Sequence, residues 1–212
     1  MTKPATIPRP DVATVAEAQL AWRRRVARIG SLLQVGFAAL WLFRGTLATG
    51  ISGRLLLAAS LAGGAVAVGV WVEATTRGLA PRPTGPVARH LERFVTGATI
   101  AQLVASTVLP FVLSALGRPD LTVGTISITI GILLLWLHTK LRTVGHLVAG
   151  VLLVAVPVVL ACALSGNALI AASGLSTGVI LIANAIVGAR ALHRGIIGPN
   201  AHTIPSTDAS RL

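Results

Sequence analysis

Few side chains in this chain can do chemistry. Its 212 residues include six carboxylates, five histidines and one cysteine. Catalysis needs such groups close together and firmly positioned, so their placement along the chain is informative. Asp11, Glu17, Asp120 and Asp208 fall in polar flanks, far apart in sequence. His90, His138 and His146 lie on different segments, from which they could converge on a metal or a haem. The chain carries no Cys-x-x-Cys pair, no phosphate-binding glycine loop and no dinucleotide fingerprint. Cys162 stands alone, which excludes an intrachain disulfide, and it reads as a small apolar side chain. The sequence therefore predicts no catalytic residue, no metal ligand set, no cofactor and no enzymatic activity.

Gly174-Leu175-Ser176-Thr177 resembles the nucleophile motif of rhomboid proteases, a family of six-helix membrane enzymes. The resemblance would make Ser176 the nucleophile. That family pairs its serine with a histidine deep in a later span. Here the next histidine, His193, lies beyond the apolar run in a basic tail. A serine without its base is a weak nucleophile, so these residues read as helix packing.

The elements that carry these residues are plain. Apolar residues make up 54% of the chain and charged ones 11%, a surplus too large for one small soluble core. The apolar residues fall in six stretches of roughly 18 to 23 residues, the length that crosses a bilayer as a helix. Lipid offers no hydrogen bonds, so each crossing must satisfy its own backbone. The expected fold is all-α, a polytopic bundle of six transmembrane helices. Helix one spans about Ile29 to Phe43, with an extension to Leu47. Helix two spans about Leu55 to Ala74, and helix three about Phe94 to Leu116. Helices four, five and six cover about Leu121 to Leu137, His146 to Leu164 and Ala168 to Val187.

Charge sets the expected orientation. With the N-terminus in the cytoplasm, fifteen of the eighteen Lys and Arg residues face inward, leaving Arg44, Arg54 and Arg118 outside. That asymmetry predicts both termini in the cytoplasm. The net charge of +12 flanks apolar spans, so anionic lipid headgroups, not nucleic acid, are the expected partners. Three regions follow. Residues 1–28 form a basic N-terminal segment with an interfacial helix, 29–189 the transmembrane domain, and 190–212 a cytoplasmic, disordered tail. Thr14 and Glu17 match a capping box; the helix they begin could lie along the interface, with Trp22 against acyl chains, or continue into the first span. Trp22, Trp71 and Trp136 fall near the inner boundary and Trp41 near the outer one. The 78–88 segment, with Pro81, Pro83 and Pro86, reads as a non-helical loop.

Within the spans, close packing and interhelical hydrogen bonds hold helices together. Gly174 with Gly178, the row Gly97, Ala101 and Ala105, and Ala59 with Gly63 are the small-residue pairs expected to mark contacts, within the chain or between copies in a homo-oligomer. Thr99, Gln102, Ser106 and Ser114 share one face of helix three. Thr122, Thr125 and Thr129 on helix four, and Ser173, Thr177 and Asn184 on helix six, extend the polar inventory. Gln34, Glu73, Gln102, His138 and Asn184 fall toward the cytoplasmic half and form a candidate polar vestibule. Glu73 is also four residues from Arg77, the spacing of a surface ion pair. Pro110 and Pro157 lie mid-span and can kink their helices; ordinary bundle geometry is the plainer expectation, a hinge the sharper one.

Val35-Gly36-Phe37-Ala38-Ala39-Leu40-Trp41-Leu42 and Ile130-Gly131-Ile132-Leu133-Leu134-Leu135-Trp136-Leu137 share Gly, Leu, Trp and Leu in register. Halves of three helices each would be inverted repeats, a recurrent plan of transporters. The functional expectation is a multi-pass protein of the bacterial cytoplasmic (inner) membrane, a non-enzymatic structural or accessory component. A small-solute or ion permease is the alternative, and a membrane enzyme or haem-binding protein a more distant one.

Overall fold

The computed structural model describes residues 12–79, 86–141 and 143–194. They form six α-helices: α1 Val12–Ala48, α2 Arg54–Thr76, α3 Pro86–Ala115, α4 Thr122–Leu141, α5 Val144–Ala163 and α6 Gly166–His193. A single 3-10 turn, Pro119–Leu121, precedes α4. All six helices contain a segment long and apolar enough to cross a membrane. The chain is thus an all-helical, multi-pass membrane type of protein. Large apolar side chains such as Leu55, Leu56, Leu103 and Phe111 point outward, which fits lipid as the surrounding solvent.

Several boundaries differ from the sequence expectation. Of the two courses open to the first helix the structure takes the continuous one, since α1 runs unbroken for 37 residues into the first span. Thr14 therefore lies inside the helix and is not its N-cap. Trp22 is buried against protein and does not lie among acyl chains. Likewise α3 begins at Pro86, so part of the expected loop is helical. Proline suits a first helical position, where its missing N–H would have no partner anyway. Helix α6 continues to His193, past the expected helix end near Val187. The rest of the expected loop (80–85) and the expected disorder of the tail beyond residue 194 lie outside the described residues.

The bundle is built on α1 and α6, which form its most extensive helix pair. They touch backbone to backbone. A Cβ on Gly174 would sit 2.8 Å from Gly45 Cα and 3.0 Å from the Trp41 carbonyl oxygen. A Cβ on Gly178 would meet Leu42 at 2.5 Å. The Gly174–Gly178 pair thus works inside the chain, as small residues at four-residue spacing do where helices must approach. The other two expected contact rows do not: Gly63 and Gly97 have nothing within 4 Å, and Ala59 and Ala101 are exposed. Helix α2 instead turns Ala58, Ala65 and Val72 inward. Helix α4 packs on α5 through Gly131 and Gly150, and both lean on α6. Helix α3 is peripheral: none of its candidate span is buried.

Trp41 lies inside the bundle. It is only 4% exposed and belongs to the central apolar cluster with Ala38, Val123, Ile126, Ile130, Leu153 and Leu181. The two matched segments occupy different surroundings: Gly36 has nothing within 4 Å, whereas Gly131 lies against Gly150.

Candidate functional site

The five residues of the candidate vestibule separate into four groups. Gln34 and Asn184 come together: the Asn184 amide donates to Gln34 Oε1 at 2.9 Å, across the α1–α6 interface. Both are buried, at 9% and 8% exposure. Gly145 makes room for this pair, since a Cβ there would stand 2.9 Å from Asn184 Oδ1. One turn before Gln34, buried Ser31 lies against Gly188, whose Cβ would fall 2.8 Å from its hydroxyl. A short polar layer thus joins α1 and α6, with Gly145 of α5 against it. A buried amide left unpaired in such a place is costly, and mutual pairing removes that cost.

Glu73 stands apart. It forms an ion pair with Arg28 of α1 at 2.5 Å, not the expected pair with Arg77 alone. An i, i+4 partner on the same helix was the natural sequence reading, but the middle of α1, at Arg28, lies beside the end of α2 and brings that arginine closer. The two side chains are part-exposed, 26% for Arg28 and 42% for Glu73. The pair fastens α1 to α2 at the basic end of the bundle.

Gln102 is on the peripheral helix. Its amide donates to Thr129 of α4 at 2.9 Å and to Ser106 at 3.2 Å, so it serves as the polar tie between α3 and α4. Thr129 in turn donates to the Ile126 carbonyl. Elsewhere on α3, Thr99 and Thr107 donate to carbonyls of their own helix at 2.9 Å, a common outlet for hydroxyls in membrane helices.

His138 lies in the last turn of α4, where its Nδ1 lies 2.9 Å from the Thr143 carbonyl just before α5. That contact fixes Nδ1 as the protonated nitrogen, since a carbonyl can only accept. The Thr143 hydroxyl also bonds Nδ1 of His146. Thr143 therefore ties both histidines into the turn. The His90 side chain lies outside the described residues. Among the described residues no group of three or more potential metal ligands exists.

A further polar layer joins α4, α5 and α6. Thr177 donates to Ser127 at 3.0 Å, and Ser127 donates to the Leu153 carbonyl at 3.2 Å. Both hydroxyl residues are fully buried. Ser173, one turn away, is equally buried, and its hydroxyl has no hydrogen-bond partner among the described residues. Ser176 donates to the Ser173 carbonyl of its own helix at 3.2 Å. Sequence reading missed Arg28, Ser31, Ser127 and Thr143. Pairs far apart in sequence carry no local signal; only the mid-span Pro157 hinted that some donor must serve α5.

Asp120 anchors the other end. It accepts from Arg118 Nε at 3.2 Å and from the Gly166 amide at 3.4 Å, joining the α3–α4 turn to the start of α6. Comparison with known proteins finds no family model that matches the chain, and no matching curated protein or solved structure.

Proposed function

We propose that this chain is a non-enzymatic structural or accessory component of a bacterial cytoplasmic membrane. Both termini face the cytoplasm in this reading. The observation that carries it is the buried Gln34–Asn184 pair. The two strongest hydrogen-bonding groups deep in the bundle face each other. Glu73, Gln102 and His138 are each occupied separately by Arg28, Thr129 and the Thr143 carbonyl. Side chains used in this way stabilise helix contacts. The basic end supports the orientation. Arg77, Arg190 and Arg194 are exposed there, where anionic headgroups attract Lys and Arg.

A small-solute or ion permease is the second reading. The observation on its side is the row Ser173, Thr177 and Asn184, all buried along one face of α6. Proton flux in proteoliposomes loaded with a pH-sensitive dye separates the two. The structural reading expects wild type and Glu73→Gln to be equally silent. A wild-type flux that Glu73→Gln abolishes would overturn it in favour of the permease. Orientation is tested by thiol labelling in intact cells, with single cysteines placed in either tail of a Cys162→Ala background. Labelling by a membrane-impermeant reagent would refute cytoplasmic termini.

A further inference from the structure

Helix α5 contains Pro157 at mid-span. Proline has no N–H, so the carbonyl four residues earlier, that of Leu153, loses its intrahelical donor. In lipid such a carbonyl needs another partner. It has one: the Ser127 hydroxyl of α4 donates to the Leu153 oxygen, and Thr177 of α6 donates to Ser127. The carbonyl released by the proline is thus served by a two-hydroxyl chain from the two helices against which α5 packs.

Burial along α5 divides at the same residue. Ala149, Gly150, Leu153 and Pro157 are its buried residues. Beyond Pro157, the side chains of Val158, Val159, Ala161, Cys162 and Ala163 are exposed and Leu160 is half-buried. The first half is anchored, with Gly150 against Gly131. The six residues beyond Pro157, 158–163, have no buried side chain and are held at their far end by the short link to α6, which begins at Gly166. Pro157 itself sits over Gly124, whose Cβ would lie 3.3 Å from the proline ring and 3.9 Å from the Ser173 hydroxyl.

We propose that α5 is a jointed helix, closed at Pro157 by the Thr177–Ser127 hydroxyl chain, whose outer half can swing into lipid and uncover the Gly124–Ser173 layer. The anchored half fixes the axis of the motion. The Ser127 hydroxyl sets the rest position, because it is the bond that replaces the one proline removes. Swinging the outer half opens a lateral route to the buried Ser173 hydroxyl.

The native cysteine makes the test direct. Cys162 is exposed on the outer half, and Leu56 is exposed on α2. Nitroxides on Cys162 and on Leu56→Cys, in the full chain in nanodiscs, give the distance distribution by pulsed electron resonance. Five residues beyond the joint give a lever of about 7.5 Å, and a turn of about 20° moves its tip by roughly 3 Å. Ser127→Ala should displace the mean distance by that amount and broaden the distribution. Adding Pro157→Ala should restore the wild-type distribution, because residue 157 then supplies the missing N–H. A Ser127→Ala distribution superimposable on wild type would overturn the proposal. So would a double variant as broad as Ser127→Ala alone. Should Ser127→Ala not fold, recovery of folded protein in the double variant supports the joint, and failure to recover overturns it.

Discussion

Adding one methyl group to Gly174 should separate the two helices on which the bundle is built. The new Cβ would stand 2.8 Å from Gly45 Cα and 3.0 Å from the Trp41 carbonyl oxygen. Carbon atoms in ordinary contact lie about 3.5 to 4.0 Å apart, so α1 and α6 must part by roughly 1 Å. Both obstacles are backbone, and no rotamer change relieves them. Overpacking of this kind costs about 1 to 3 kcal/mol, a factor of roughly 5 to 150 in the folding equilibrium. Gly45→Ala should behave alike, since its Cβ meets the Leu175 nitrogen at 2.8 Å. The two costs should not add, because one separation relieves both. Gly63→Ala is the control: with nothing within 4 Å of that position, it should match wild type or gain up to about 1 kcal/mol from helix propensity. Unfolding in mixed micelles of rising SDS fraction, followed by far-ultraviolet circular dichroism, measures all four variants. Equal loss from Gly174→Ala and Gly63→Ala, or strict additivity of the Gly45 and Gly174 changes, would refute close backbone contact as what limits this interface.

Two further outcomes follow from the buried polar layers. Asn184→Ala should lower stability by about 1 to 3 kcal/mol by leaving the Gln34 amide without its partner. Replacing Gln34 and Asn184 together with leucine should recover most of that loss; a double variant worse than the single would show that the pair does more than satisfy itself. Ser173→Ala removes a buried hydroxyl with no partner among the described residues, so the melting temperature should hold or rise, and a clear fall would mean the hydroxyl is engaged.

The existence of six helices was legible in the residues, because hydrocarbon thickness and the need for internal backbone bonding leave little alternative. The Gly174–Gly178 contact was legible too, since glycine at that spacing has few uses other than close approach. Helix ends were not. The 37-residue α1 passes through the Arg23–Arg25 cluster because charged side chains do not end a helix that the backbone can continue. Glu73 shows the limit for side chains. Its own helix offers Arg77 at a favourable spacing, yet Arg28 closes the 2.5 Å pair.

The sequence by itself determined the medium, the number of apolar helices and the scarcity of reactive groups, because each depends on composition and local periodicity. Only the tertiary structure decided which polar groups meet. Gln34 and Asn184 are 150 positions apart in the chain, and Ser127 reaches the Leu153 carbonyl from another helix. In a bundle surrounded by lipid, every helix face looks alike to the solvent. The choice of partner therefore rests on the close fit of backbones, where a glycine admits a neighbour, and that fit is a property of the assembled helices.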